Sequence, residues 1–395
     1  MSRKLVAAQV GCGAFAAAQH GPNLTRNKNI SKIKWACDIS DKNLKNYSEK
    51  FKAEKITKSF EEAVTDPEVD IVMIATSHDF HVPIIESAAA HGKHIFCEKP
   101  LAMNEEQAYK IIKAVRKNKV KLCVDYMRRM APALVALKSE WKKHKENPKR
   151  QPWRYVDPCR LEKNIVFEEE KCTDFQVRVQ DESSSYRLVH LDPFKGGGLI
   201  IGEAVHWLDL SSWLFENDRP VEIRAWGSAR MRYGIYVVFQ SGNTATITFT
   251  PNGSFDYPKE QFEIACDGAL FRSEFYVENQ YYGRPGVERE TFKLQRDPCP
   301  EIGAQGGFAG FMEKKKKYLN KDENSYKLWE TLQANHGYEE IFDGFVDSVL
   351  KDTKPPCNEL DGFRATLLGE LAMKSIMFNQ PVPVPVEKWD YYIEL

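Results

Sequence analysis

The stretch VGCGAFA, residues 10–16, follows the first apolar run of the chain, LVAAQ, and leads into a helical pattern. Gly11, Gly13 and Ala16 match G-x-G-x-x-[GA], which between a strand and a helix predicts a dinucleotide-binding turn. Gly11 permits the tight turn, Gly13 lets the backbone approach a pyrophosphate at the helix N-terminus, and Ala16 allows close packing. We expect Ala14 and Phe15, inside the same turn, to contact the cofactor as well.

The next apolar run, KIKWACD, ends in Asp38, 25 residues after Gly13. An acid at this strand end can hydrogen-bond both ribose hydroxyls of NAD and would repel the 2′-phosphate of NADP. A helix-capping aspartate on the surface is the alternative interpretation. The pattern therefore predicts NAD as the cofactor and disfavours NADP, although Lys32, Lys34 and Lys42 lie close enough in sequence to meet a phosphate.

Strands and helices alternate in the first third of the chain. Five short apolar runs are separated by helical patterns between residues 5 and 126, which predicts a doubly wound parallel sheet of the Rossmann type. Beyond about residue 195 strand follows strand, with Gly and Asn turns between them, as in an antiparallel meander. We expect α/β architecture: a dinucleotide-binding domain over residues 1–128, and an α+β domain with a large, mostly antiparallel open sheet over residues 129–395. Helices over 333–348 and 362–378 could pack back on the first domain.

Composition narrows the function classes. The chain has 395 residues, 42% of them hydrophobic, with 56 basic and 56 acidic side chains. This balance gives no indication of a nucleic-acid or anionic-membrane partner, and no apolar run approaches the roughly 20 residues that span a bilayer. Nine cysteines stand singly, without C-x-x-C pairs. We expect reduced thiols in a cytoplasmic protein and no metal site.

The segment CEKPLA, residues 97–102, follows the predicted fourth strand at the sheet edge where ligands bind in doubly wound folds. Lys99 stands between an acid, Glu98, and Pro100, which biases Lys99 towards an extended backbone. A lysine aimed into this cleft could hydrogen-bond a substrate hydroxyl, or relay its proton if burial lowers its pKa. A surface lysine is the plainer alternative.

The chain resembles the glucose-fructose oxidoreductase, inositol dehydrogenase and MocA family over most of its length. The resemblance rests on VGCGAFA, the strand ending in Asp38, IATSHDFH, CEKPLA, VDYMRRM and a later GGG…H…D pattern. The resemblance implies that Lys99 is the catalytic lysine and that Glu98 contacts the cofactor ribose. It also places Thr76, Ser77 and His81 in a loop under the cofactor. For His81, a helix-capping or core histidine is the competing interpretation.

Arg129 matches an arginine of the family's G-F-N-R-R-F stretch, so the resemblance implies a cofactor-side role for it. Two positions depart from the family pattern. Ser77 replaces the usual proline of IATP, and Met127 replaces the asparagine of G-F-N-R-R-F. Both changes concern the cofactor side of the pocket.

The segment GGGLIIGEAVHWLDL, residues 196–210, corresponds to the family's substrate-lining helix. The resemblance makes His206 the candidate base. The family commonly has an aspartate four residues before this histidine, where the chain has Gly202, and its acid, Glu203, is displaced by one position. Residues three apart on a helix share a face, so we expect Glu203 to lie near the imidazole and to stabilise its protonated form. Packed, structural side chains are the alternative for both residues.

The implied reaction is hydride transfer between the nicotinamide and a secondary hydroxyl of a sugar, inositol or glycoside, with Lys99, Glu203 and His206 catalytic. Asp192 is a candidate substrate contact, as are the planar side chains of Trp153 and Tyr186. The segment between Arg129 and Gly196 is long, which would suit a larger ligand. An alternative function is therefore that of a glycoside-cleaving enzyme that oxidises the sugar ring transiently. A non-catalytic sugar or nucleotide sensor is a third possibility. By resemblance we also expect a homodimer or homotetramer.

Overall fold

The computed structural model of the protein describes residues 3–147, 172–181, 191–192, 196–228, 230–254, 257–284, 286–295, 301–319 and 333–390. Within these ranges the strands form two sheets, one parallel and one mostly antiparallel. This confirms the predicted fold class. The division of the chain at residues 128 and 129 stays a prediction.

The parallel sheet contains six described strands in the order β3-β2-β1-β4-β5-β6. Strand β4 is buried along its whole length, as expected of a parallel strand that helices cover on both faces. The strands are β1 (Leu5–Val10), β2 (Ile30–Cys37), β3 (Lys55–Thr57), β4 (Ile71–Ile74), β5 (His94–Cys97) and β6 (Leu122–Val124).

Two helices of this half, α2 (Asp41–Phe51) and α5 (Glu105–Lys117), begin after a side chain that caps them. Helix α5, for example, begins after Asn104, whose side chain accepts a hydrogen bond from the Gln107 N–H. Acidic residues in its first turn and basic residues in its last turn complement the helix dipole. The helices are α1 (Gly21–Arg26), α2 (Asp41–Phe51), α3 (Phe60–Thr65), α4 (His81–Ala90), α5 (Glu105–Lys117) and α6 (Pro132–Glu146).

The second sheet contains nine described strands in the order β14-β13-β12-β11-β7-β10-β9-β8-β15. Strand β7 alternates buried and exposed positions and runs parallel to β10. The strands are β7 (Asp174–Gln180), β8 (Pro220–Gly227), β9 (Tyr233–Phe239), β10 (Thr244–Thr250), β11 (Glu260–Cys266), β12 (Ala269–Glu274), β13 (Glu278–Tyr282), β14 (Arg289–Thr291) and β15 (Val382–Pro383).

Later helices connect the two sheets. The side chain of Glu370 accepts a hydrogen bond from the Glu105 N–H at 3.0 Å, and Arg116 pairs with Glu359 at 3.3 Å, so the long helix α10 lies against α5. The helices are α7 (Val205–Leu214), α8 (Glu301–Leu319, interrupted at Gly307), α9 (Tyr338–Lys351), α10 (Glu359–Phe378) and α11 (Val386–Asp390). In the described ranges, no helix combines the length and the apolar character needed to cross a membrane.

Two predictions about strands were wrong in detail. The edge strand β3 was not expected, because three residues are too few to show a period. The apolar run ALFRSEFYVE, residues 269–278, has the pattern of one strand of the expected meander, but it is divided where Phe275 and Tyr276 adopt positive φ angles of 48° and 62°. The chain turns there and returns as β13 beside β12.

Candidate active site

The glycine turn after β1 has the geometry that a dinucleotide requires. Gly11 has a φ of 86°, and a Cβ at this position would clash with the carbonyl of Ala75 at the end of β4. Around Gly13, by contrast, a Cβ would meet nothing within 4 Å. Ala14 and Phe15 are exposed on the same turn. The backbone is therefore tight at the first glycine and open at the second, which suits a bound pyrophosphate.

Asp38 connects the end of β2 to this turn. Its Oδ2 accepts a hydrogen bond from the Cys12 N–H at 2.8 Å, and its Oδ1 accepts one from the Ser40 N–H at 2.8 Å. The helix-capping side chain of α2 is Ser40 rather than Asp38. Oδ2 also accepts a hydrogen bond from Asn43 Nδ2 at 3.3 Å, so the remaining acceptor capacity for a ribose hydroxyl lies on Oδ1.

The loop after β4 joins the cofactor edge to the second half of the chain. Thr76 is half-buried beside the glycine turn and Ser77 is exposed. His81 is fully buried, and its Nδ1–H donates to the carbonyl of Pro100 at 2.9 Å. Burial lowers the pKa of His81, so its ring is neutral. His78, which the sequence analysis passed over, places its Nδ1 3.1 Å from the carbonyl of Gly196.

Lys99 extends from the end of β5 to the glycine-rich segment. Its Nζ donates to the carbonyl of Gly202 and to Oε1 of Glu203, both at 2.7 Å. The carboxylate of Glu203 thus points to Lys99, between the cofactor half of the chain and the second sheet. Its other oxygen, Oε2, lies 4.0 Å from Nζ of Lys259, a residue just before β11.

Lys259 in turn pairs with Asp181 at 2.6 Å, so acids and lysines alternate along this line. Burial alone would raise the pKa of Glu203, but Lys99 and Lys259 outweigh it and lower the value to about 2. Glu203 is therefore a carboxylate throughout the physiological range and cannot act as a proton donor. Lys259 and Asp181 were not predicted, because only the fold brings the ends of β7 and β11 together.

His206 lies one turn beyond Glu203 and is 4% exposed. Burial, followed by the charges of Arg128, Lys99 and Lys259, lowers its pKa well below 6.5. Its Nδ1 has no hydrogen-bond partner among the described residues. The ring is therefore a neutral imidazole, the form that can accept a proton.

The expected pairing of Glu203 with His206 was wrong. Residues Ile200–Ala204 form a π-helical turn, and the regular α-helix begins only at Val205. Because the π turn changes the rise and rotation per residue, the i, i+3 rule of an α-helix does not apply across it. Glu203 is directed to Lys99 instead, and among the described residues no carboxylate is hydrogen-bonded to His206.

Arg129 forms a buried ion pair that joins three parts of the chain. Its Nε and Nη2 contact the carboxylate of Asp209 at 3.0 and 2.5 Å, and its Nη1 donates to the carbonyl of Pro356 at 3.1 Å. Burial alone lowers the pKa of Arg129, but Asp209 and Asp361 raise it well above the ordinary value. These contacts give a structural reason for the arginine, while its predicted role towards the cofactor stays a prediction.

Glu98 lies beside Lys99 in a buried group that we call the carboxyl cluster, composed of His20, Glu98 and Asp125. Glu98 Oε1 is 2.9 Å from His20 Nε2, and Glu98 Oε2 accepts a 3.2 Å hydrogen bond from the Lys99 N–H. Asp125 was not singled out by the sequence analysis. The cluster fixes the backbone from which Lys99 extends, and the predicted ribose contact of Glu98 stays a prediction.

The remaining candidate substrate contacts are less defined. The carbonyl of Asp192 accepts hydrogen bonds from the N–H groups of Gly196 and Gly197 at 2.8 and 3.0 Å, which turns the chain into the glycine-rich segment. The role of its carboxylate on substrate stays a prediction. Trp153 and Tyr186 lie outside the described residues.

Comparison with known proteins agrees with this geometry. The family model of the glucose-fructose oxidoreductase, inositol dehydrogenase and MocA group, described as an oxidoreductase family with an NAD-binding Rossmann fold, matches residues 6–126. Residues 6–126 therefore form the NAD-binding Rossmann unit that this family model describes. The tight Gly11, the open Gly13 and the tethered Asp38 fit NAD, the cofactor of the family's Rossmann unit.

Similarity to individual proteins extends over the whole chain. The uncharacterized oxidoreductase YrbE of Bacillus subtilis is 24% identical over 388 residues, covering 97% of this chain and 98% of its own. An inositol 2-dehydrogenase/D-chiro-inositol 3-dehydrogenase of Lactiplantibacillus plantarum is 26% identical over 57% of this chain and 56% of its own. A levoglucosan dehydrogenase solved with NADH superposes with a TM-score of 0.72 at 17% identity, covering 97% of this chain and 100% of its own. This last likeness concerns the fold.

Proposed function

We propose that the chain is an NAD-dependent dehydrogenase that oxidises a secondary hydroxyl of a cyclic polyol or sugar. The observation that carries the proposal is the position of Lys99, whose Nζ bonds Gly202 and Glu203 at the join between the cofactor half and the second sheet. Inositols and levoglucosan, named for the related proteins above, are cyclic compounds with secondary hydroxyls. They support this substrate class.

In the proposed mechanism, Gly11, Gly13 and Asp38 would hold NAD, which would supply the hydride acceptor when bound. His206, neutral because of burial, removes the hydroxyl proton of the substrate as the hydride leaves the same carbon. Lys99 holds the same oxygen through its ammonium group. Glu203 remains ionised and orients that ammonium. The hydroxyl proton therefore ends on His206, and no proton needs to pass through Glu203.

The specificity for NAD over NADP is part of the proposal. Lys32 and Lys34 are cations that could contact a 2′-phosphate. Both instead form ion pairs with Glu54, at 3.0 Å each, and with Glu68. Asp38 then faces the ribose without a competing cation from this pair. The dimeric or tetrameric state and the cytoplasmic location follow from resemblance and composition, and we keep them as proposals.

The experiment is a panel of sugars, inositols and glycosides incubated with NAD, in which NADH absorbance and released products are followed together. A dehydrogenase produces one NADH for each substrate molecule that it oxidises. Glycoside cleavage with return of the hydride would release the aglycone without net NADH. NAD binding with no conversion of any compound in the panel would favour the sensor and contradict the proposed activity.

A further inference from the structure

Two carboxyl groups stand next to one another inside the cofactor half of the chain. Cys97 and Val124 are register partners on β5 and β6, so the next residues, Glu98 and Asp125, leave the sheet side by side at its carboxyl edge. Glu98 is 8% and Asp125 2% exposed. The register of the strands, rather than a flexible contact, brings the two acids together.

The contacts around this pair are those of a hydrogen-bonded group. His20 is 1% exposed and bonds Glu98 Oε1 through Nε2. One ring nitrogen of His20 and one carboxyl oxygen each of Glu98 and Asp125 all lie within 4.8 Å of one another. Among the described residues, Asp125 Oδ1 has no hydrogen-bond partner. One carboxyl oxygen of the cluster is thus still available to a proton.

Two carboxylates this close in a buried site cannot both ionise at little cost, because each destabilises the charge of the other. Burial raises the pKa of Glu98 to about 7, and burial together with Glu98 raises that of Asp125 well above its ordinary value. Charged and titratable groups also face the pair from neighbouring elements, namely His20, Cys97, Lys99, Glu203 and Tyr338.

We propose that Glu98 and Asp125 share one proton, and that the occupancy of this proton is linked to the oxidation state of the bound nicotinamide cofactor. The nicotinamide ring is positively charged when oxidised and neutral when reduced. A positive ring near Lys99 favours the doubly ionised pair, so binding of NAD⁺ releases the proton to solvent. Replacement by NADH returns one proton from solvent, and no electron passes through the pair.

The inference rests on the proposed placement of the nicotinamide beside Lys99, but it needs no substrate. Glu98, Asp125 and His20 are positioning residues in this account. Because cofactor binding alone is measured, failure to find a substrate in the polyol panel would leave the inference standing. Absence of the proton linkage would leave the proposed dehydrogenase activity standing.

The first test is calorimetric titration of the full chain with NAD⁺ and with NADH between about pH 6 and 9, in buffers of different ionisation enthalpy. We expect NAD⁺ affinity to rise about tenfold across this range, the effect of a one-unit pKa difference between free and bound states, with release of up to about half a proton for each NAD⁺ bound near neutral pH. NADH affinity should stay nearly constant. The double variant Glu98→Gln with Asp125→Asn has neither carboxyl group of the pair and should lose both the rise and the proton release, whereas Asp79→Asn, at an exposed position, should keep them.

The second test is infrared spectroscopy of the wild-type protein near neutral pH, where a protonated carboxyl group has its own C=O stretching band. We expect this band to lose the intensity of one carboxyl group in the double variant Glu98→Gln with Asp125→Asn. Absence of the band from the wild-type spectrum refutes the shared proton even if a variant does not fold, whereas its presence is assigned to the pair by the double variant, because burial also raises the pKa of Asp209 to about 7. A wild-type protein without the band, equal pH dependence for NAD⁺ and NADH, or a stoichiometric divalent metal in the purified protein would overturn the proposal.

Discussion

The buried ion pair of Arg129 and Asp209 gives a prediction that separates a structural from a cofactor-binding arginine. The side chains are 6% and 2% exposed. In Arg129→Met the carboxylate of Asp209 stays buried without its bidentate partner. Breaking a buried pair in this way costs about 3–5 kcal/mol of unfolding free energy, because the remaining charge is no longer compensated. We therefore expect Arg129→Met to fold with greatly reduced stability.

The assay is urea denaturation followed by tryptophan fluorescence, together with the dissociation constant for NAD. Arg26→Met is the matched control, because Arg26 is 30% exposed in its pairs with Glu339 and Asp343 and should lose only about 0–1 kcal/mol. The double variant Arg129→Met with Asp209→Asn should recover much of the loss. Unchanged stability with NAD binding weakened tenfold or more would refute the structural role and return Arg129 to the cofactor.

Three further predictions concern the site. Asp38→Ala should weaken NAD binding more than NADP binding in parallel titrations, since only NAD keeps the 2′-hydroxyl that the carboxylate accepts from; equal effects would remove the ribose role. Glu203→Gln should reduce kcat/KM about ten- to a hundredfold at unchanged NAD affinity, because a charge-assisted hydrogen bond to Lys99 is worth about 1.5–3 kcal/mol. Since burial lowers the pKa of His206, its neutral form persists as pH falls, and the acid limb of kcat/KM should lie below pH 6.5; an acid limb above 6.5 that His206→Asn removes would contradict this.

Local patterns were sufficient to predict the cofactor half. The glycine turn, the strand ending in Asp38 and the position of Lys99 after a strand are each encoded within a few residues, and the structure places them at one sheet edge. Secondary structure with a clear period was predicted for the same reason. The edge strand β3 was not predicted, because it is too short to show a period. The position of β7 between β10 and β11 was not predicted either, because it depends on pairing with distant strands.

Several side-chain contacts of the candidate site could not be predicted from local sequence patterns. Helix periodicity assigned Glu203 to His206, but a π turn, which leaves no signature in the spacing, turns it to Lys99. Lys259 lies in no local motif, and Asp125 lies in VDYMRRM at a position for which the motif predicted no role. Each becomes informative only when strand register brings it against a residue from another part of the chain.

The central claim is that Lys99 and His206 perform the chemistry while NAD is held elsewhere. Its most direct test is the turnover of a responding polyol by Lys99→Met and His206→Asn, measured beside the NAD dissociation constant of each variant. We predict a loss of about 10²–10⁴-fold in kcat for His206→Asn, as for removal of a general base, and a comparable loss for Lys99→Met, with NAD affinity within a few-fold of wild type. Near-normal turnover in both variants would contradict the account.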